Sequence, residues 1–133
     1  MRKLARALHF FVALGALAGG VMALSGAADT FGIELKNAPF KTFLIPGLIL
    51  FTVIGLGNLC AALLLKKKLG GYLSLLLGVI MVVWIAVQCV MLWAFTPPHG
   101  IYLAIGTGQT VLASVLLSRA ELPPWGNIRR LWE

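Results

Sequence analysis

The sequence predicts an all-α membrane protein: an antiparallel up-down-up-down four-helix transmembrane bundle with both termini in the cytoplasm. Three observations lead there. Hydrophobic residues make up 60% of the 133-residue chain and charged residues only 11%, whereas soluble domains carry about 25% charged residues. The mean hydropathy is +0.97. Four apolar stretches, 7–28, 44–65, 71–95 and 101–118, contain no Asp, Glu, Lys or Arg, and each has the length of about 17–25 residues that a bilayer crossing requires. Lys and Arg, finally, alternate along the chain in the way that sets membrane orientation.

The first crossing follows the basic start "MRKLAR". A signal peptide has a similar start, and "LSGAAD" offers small residues for cleavage, but the apolar run is longer than a usual h-region, so a retained helix is expected. The loop 29–43 comes next. In "TFGIELK", Phe31, Ile33 and Leu35 alternate with polar residues or glycine. That period suits a strand, yet no partner strand exists, so the segment is expected to lie on the outer interface above the bundle. Thr42 is placed to cap the second helix, which puts Pro46 in its first turn, where proline is tolerated.

The short turn "KKKLGG" joins the second and third helices, and "TPPHG" joins the third and fourth. Short connections make neighbouring helices antiparallel. Pro97 and Pro98 are expected to stop the third helix, since proline lacks an amide donor. The transmembrane domain thus covers 1–118, and the tail 119–133 is separate. In the tail Pro123 and Pro124 break the chain, and Trp125, Ile128 and Trp132 recur beside Arg129 and Arg130. This pattern predicts a cytoplasmic interfacial anchor, with indoles at headgroup depth.

Of the 11 Lys and Arg residues, nine fall at one face: Arg2, Lys3, Arg6, Lys66, Lys67, Lys68, Arg119, Arg129 and Arg130. The other two are Lys36 and Lys41. The basic face belongs in the cytoplasm. Lys66, Lys67, Lys68, Trp125, Arg129 and Arg130 are the expected lipid-headgroup contacts. A net charge of +7 can also mean nucleic acid, but charges at the ends of apolar segments point to membrane lipids instead.

Polar side chains inside the crossings are the candidate site. Counted from the outer helix ends at about 1.5 Å per residue, Thr52 and Gln88 lie about 10 Å deep and Gln109 about 14 Å. With Trp84, one turn from Gln88, they form the expected ligand or interaction surface in the outer half. Met81, Trp84, Gln88, Met91 and Phe95 make one seam, and Tyr102, Gly106, Gln109 and Ala113 its match. Gln88 is expected to bond Thr52, Gln109 or the Trp84 indole, because an unpaired buried amide costs roughly 2–7 kcal/mol. Asn58 sits deeper, with Ser114 and the region of Gly15 as expected neighbours. Gly15, Gly19, Asn58 and Gly106 are assigned to helix packing, with small-xxx-small pairs at Gly15/Gly19 and Ala16/Gly20.

His9 and His99 lie at opposite ends of the bundle and read as interfacial residues. Cys60 and Cys89 read as buried thiols. Neither a metal nor a cofactor is expected, because no convergent ligand set exists. Intramembrane charges mark proton and ion paths, and the crossings hold none. No nucleophile-and-base pattern stands out, so a non-enzymatic role is expected.

The stretch Ala38 to Leu65, with Pro39, Phe40, Ile45, Pro46, Gly47 and Leu48 opening a glycine-rich helix, resembles an uncharacterised family of small bacterial four-helix integral membrane proteins. "VIMVVWIAVQ" is similar to that group as well. The resemblance covers about half the chain. It implies a multi-pass protein of the bacterial cytoplasmic (inner) membrane and supplies no catalytic residues. The functional expectation is a small binding or accessory component with a polar recess in the outer half. Its partners would be membrane lipids and a second copy or another membrane protein, with no nucleic acid. A carrier or channel for a neutral or lipophilic solute is the alternative. A lipid- or quinone-linked membrane enzyme is the third.

Overall fold

The computed structural model describes residues 1–27, 32–124 and 126–132. Among these residues the chain is all-helical, without strands. Its helices α1 (Arg2–Leu24), α2 (Leu44–Leu64), α3 (Lys68–Leu92) and α4 (Pro97–Arg119) are each long and apolar enough to cross a membrane. Hydrocarbon offers no hydrogen bonds to a backbone, so helices are the economical way for such segments to satisfy their own amides. Large apolar side chains on all four point outward, among them Leu14, Leu63, Val83 and Val111.

The helix ends differ from the expected ones in ways that matter for the site. α1 begins at Arg2, because Arg2, Lys3 and Arg6 are good helix formers; Arg2 and Lys3 are exposed, whereas the Arg6 Nε is buried. α3 ends at Leu92, where Trp93 takes a left-handed conformation (φ 50) as its C-cap. Pro97 and Pro98 do not stop α3; they open α4, with Thr96 as N-cap. Proline's missing N–H is an orphan in a first turn anyway, so this placement is favourable. α4 therefore starts four residues earlier than 101. α2 begins after Phe43, with no side-chain cap; Thr42 does not cap it.

α2 is not one regular helix. Leu50–Leu56 forms a π-helical segment between α-helical ends at Leu44–Ile49 and Gly57–Leu64. A π-bulge inserts a residue into the α-helical repeat, and at 3.6 residues per turn one residue is about 100° of rotation. Asn58 follows directly, so the bulge sets the direction in which Asn58 faces.

Glycines bring the helices together. Gly47 faces Ala23 and Leu24, Gly55 faces Leu17, and Gly20 lies against the backbone of Phe51. Gly71 faces Leu117, Gly106 faces Met81, and Gly78 lies against Thr110 and the Gly106 carbonyl. Gly15 packs on Tyr102 and Gly19 on Leu50. Val12, Ala16, Ile54, Met81, Trp84 and Ile85 form the core between the helices.

The described part of the loop 29–43 forms no strand. Leu35, Ala38 and Phe40 pack on the core, and the Asn37 amide donates to the Met91 carbonyl at the end of α3. At the other end the tail folds back. Leu122 is buried, and the Tyr72 hydroxyl donates to the Pro123 carbonyl. Ile128–Leu131 is a single 3-10 turn rather than an α-helical anchor. Arg130 pairs with Glu121, and the Lys68 ammonium donates to the Arg130 carbonyl. Ile128 and Trp132 remain exposed. Ala28, Asp29, Thr30, Phe31, Trp125 and Glu133 lie outside the described residues, and with them the expected headgroup contact of Trp125. Cys60 is exposed and Cys89 half-buried, because Cys60 falls on the outward face of α2 rather than in its seam.

Candidate functional site: a buried polar cluster and the cavity beyond it

Each of the four helices sends one polar side chain to a common point. His9 on α1, Asn58 on α2, Ser74 on α3 and Gln109 on α4 are all 0% exposed. Helical spacing explains their convergence. His9 continues the buried line Ala5, His9, Ala13, Ala16, Gly20 on α1, spaced by three or four residues, which is one helix face. Ser74 starts a similar line through Gly78, Met81 and Ile85 on α3. On α4 the line is Gly106, Gln109, Ala113 and Leu117.

The hydrogen bonds assign the protons. The Asn58 amide nitrogen donates to the Ile54 carbonyl of its own helix at 2.8 Å. Its oxygen is therefore turned to the cluster, 2.6 Å from His9 Nδ1. A carbonyl oxygen only accepts, so Nδ1 carries the proton. In the neutral ring Nε2 then accepts from the Ser74 hydroxyl, 2.5 Å away. Gln109 Nε2 donates to the same Asn58 oxygen at 2.9 Å. It also lies 3.0 Å from His9 Nδ1; that approach arises because two N–H groups converge on one acceptor. Turning the Gln109 amide over would set two acceptors face to face. Its Oε1 is left buried without a partner.

Hydroxyl, imidazole and amide oxygen stand here in the order of nucleophile, base and orienting group. The geometry is sealed, however. With Ser74 at 0% exposure, no external acyl group reaches its oxygen in this conformation. What the cluster does physically is clasp four helices: the Asn58 oxygen joins α1, α2 and α4, and His9 Nε2 joins α3 through Ser74. Each interhelical bond of this kind contributes only about 0.6 kcal/mol on average, but stranding a buried donor costs about 1–3 kcal/mol.

A layer of Val12, Ile54 and Met81 follows the cluster along α1, α2 and α3. Beyond it lies a cavity of about 340 Å³. All four helices line it, through Ala16, Leu50, Ile85 and Tyr102 among others, and Ile33 of the loop between α1 and α2 lines it as well. Trp84, Gln88 and His99 are its polar-tipped walls. Gln88 and Ile33 also border a smaller cavity of about 140 Å³ beside it. The Trp84 Nε1 is buried with no partner.

The predicted site residues divide between these two places. Trp84 and Gln88 share a face and line the cavity, as their spacing requires. Thr52 does not join them: it is exposed, and its hydroxyl donates to the Leu48 carbonyl one turn back. Gln109 is not at the level of Gln88. Because α4 begins at Pro97, Gln109 lies twelve residues in, about 18 Å by helical rise, and meets Asn58. Gln88 accordingly bonds neither Thr52, Gln109 nor the Trp84 indole among the described residues. Asn58 meets His9 and Gln109, not Ser114. His9 is no interfacial residue but the centre of the cluster. Nor is His99 interfacial: it is 7% exposed, and its ring caps α4.

His9 and Ser74 are the members of the cluster that sequence reasoning missed. One signal was available for His9: it continues the small-residue line of α1 at a spacing of four. Comparison with protein-family models, curated proteins and solved structures finds no match.

Proposed function

We propose that this chain is a multi-pass protein of the bacterial inner membrane that acts without catalysis, as a small binding or accessory component. It holds a small neutral or lipophilic ligand in the outer-half cavity. The observation that carries the reading is the cavity of about 340 Å³ walled by all four helices, with Ile33 also lining it. Ligand sites are typically concave, mostly apolar and about 300–1,000 Å³. This one lacks ionised groups among its lining residues, which suits an uncharged occupant.

In this reading the helices run antiparallel, with both termini in the cytoplasm. Helix register supports it: as α2 advances from Gly47 to Gly55, its α1 neighbours retreat from Leu24 to Leu17. Arg2 and Lys66 to Lys68 share a recess of about 90 Å³ at one end, where phosphate headgroups would meet them. A fluorescent-protein fusion at the C-terminus is expected to glow and an alkaline phosphatase fusion to stay inactive. The reverse pattern overturns the topology.

Filling the cavity tests the binding role. Native mass spectrometry of the gently extracted full chain is expected to retain a small-molecule or lipid adduct, and its mass also gives the subunit count. Ala16→Phe, which projects a ring into the cavity, should abolish the adduct. Gly19→Leu is the second variant, since its nearest neighbour is the flexible Leu50 side chain at 3.1 Å. An adduct that persists in a folded, filled variant sinks the reading.

A further inference from the structure

We infer that the cavity selects a lipophilic molecule whose buried end carries a carbonyl oxygen, and that the Nε2–H of His99 recognises that oxygen. This rests on the binding role proposed above and adds the ligand's chemistry.

His99 lies in the first turn of α4 and is more than nine-tenths buried. The Thr96 backbone N–H donates to its Nδ1 at 3.0 Å, and the Thr96 hydroxyl lies 2.8 Å from the same nitrogen. A backbone N–H can only donate, so Nδ1 is the unprotonated nitrogen. The ring proton of the neutral imidazole is therefore on Nε2. Nε2 has no hydrogen-bond partner among the described residues, and His99 forms part of the cavity wall. The cap thus does two jobs. It satisfies the Thr96 amide that precedes the two prolines of α4, and it fixes the tautomer of a donor on a ring that lines the cavity.

Trp84 of α3 lines the same cavity, but its Nε1 is itself enclosed without a partner. That leaves the His99 Nε2–H as an unpaired donor among apolar side chains. An unsatisfied donor in such surroundings costs roughly 1–3 kcal/mol, which a carbonyl oxygen recovers and a hydrocarbon does not. A charged ligand would lose its hydration with no counter-ion on the wall. The shared chemistry is a neutral carbonyl on an apolar body, as found in a lipid-soluble quinone ring or a fatty ester.

Three probes separate the cases: decylbenzoquinone, decyl acetate and decylbenzene. Their affinities are measured by titration calorimetry on the full chain in lipid nanodiscs. At least one carbonyl probe is expected to bind about tenfold tighter than decylbenzene, the factor that one recovered hydrogen bond of about 1.4 kcal/mol gives. Whichever carbonyl probe wins identifies the source. His99→Asn should erase the preference. Its side-chain oxygen can replace Nδ1 at the cap, but it is too short to donate into the cavity. His99→Gln should keep the preference, since its amide nitrogen reaches the position of Nε2.

Equal affinity of all three probes for the wild type overturns the inference. So does a preference that survives His99→Asn or disappears in a folded His99→Gln. Decylbenzene binding that Ala16→Phe removes would leave the cavity reading standing in those cases. If no probe binds at all, both fall.

Discussion

Asn58→Val is expected to lower the stability of the bundle by about 2–4 kcal/mol, the largest effect of any single polar substitution in the chain. The Asn58 oxygen accepts from both His9 and Gln109. Removing it strands two donors at a point where all partners are 0% exposed. Each orphaned donor costs about 1–3 kcal/mol. The dissociated helices in a membrane also find partners, which limits a single interhelical bond to about 1.7 kcal/mol at most, so the sum stays near the lower half of the range. Valine keeps most of the volume, so little of the loss comes from a void. The measurement is a denaturation titration of the protein in micelles.

The quadruple variant His9→Leu, Asn58→Val, Ser74→Ala, Gln109→Leu should be more stable than Asn58→Val alone, and within about 1–2 kcal/mol of the wild type. Replacing every member of a buried polar set by apolar groups of similar shape is often nearly neutral, whereas breaking it is not. A quadruple variant weaker than the single one, or an Asn58→Val protein as stable as the wild type, would show that the clasp is not what holds these helices in register.

Two alanine substitutions on adjacent helices should have opposite signs. At Gly78 a methyl group would sit 2.6 Å from Thr110 Oγ1, 2.7 Å from the Thr110 backbone nitrogen and 3.1 Å from the Gly106 carbonyl. Backbone atoms cannot step aside, so α3 and α4 must separate. Overpacking of this kind costs typically 1–3 kcal/mol, and the separation also pulls Ser74 and Gln109 out of register with the cluster. Gly78→Ala is therefore expected to lose about 2 kcal/mol despite alanine's better helix propensity. At Gly108 the nearest atom to such a methyl group is Leu8 Cδ1 at 4.0 Å. Nothing opposes the substitution, and Gly108→Ala should gain up to about 1 kcal/mol from propensity alone. Thermal unfolding of both variants in the same detergent reads the difference, about 3 kcal/mol in total. Equal shifts in one direction would mean that the close approach of α3 and α4 is not set by Gly78.

Much of the candidate site was half legible. The sequence places Trp84 and Gln88 on one face, and both line one cavity. The depth expected for Gln109 differs from the observed one because Pro97 and Pro98, which suit a stop for α3, suit the first turn of α4 equally well and form it here. Thr52 illustrates a different limit. A threonine in a helix has its own carbonyl one turn back as an alternative partner, and here it takes the Leu48 carbonyl. Nothing in the local sequence decides between that bond and one across the bundle. His9 reads as interfacial from its place near the basic end of the chain, although its spacing from Ala5 and Ala13 puts it on the packed face.

The sequence by itself determined the helices: long runs without ionised groups must satisfy their backbone internally, and this follows from composition and length before any contact is known. It also determined which faces are thin enough to approach, through the glycine and alanine stripes. Only the tertiary structure decided which polar groups meet. A π-bulge in α2 turns Asn58, an early start to α4 moves Gln109 by a full turn, and a glycine contact sets α3 against α4. A hydrogen bond tolerates errors of a few tenths of an ångström, while one residue of helical register is about 1.5 Å of rise and about 100° of rotation. The partners of His9 therefore depend on small shifts in three separate helices, and their sum exists only in the folded chain.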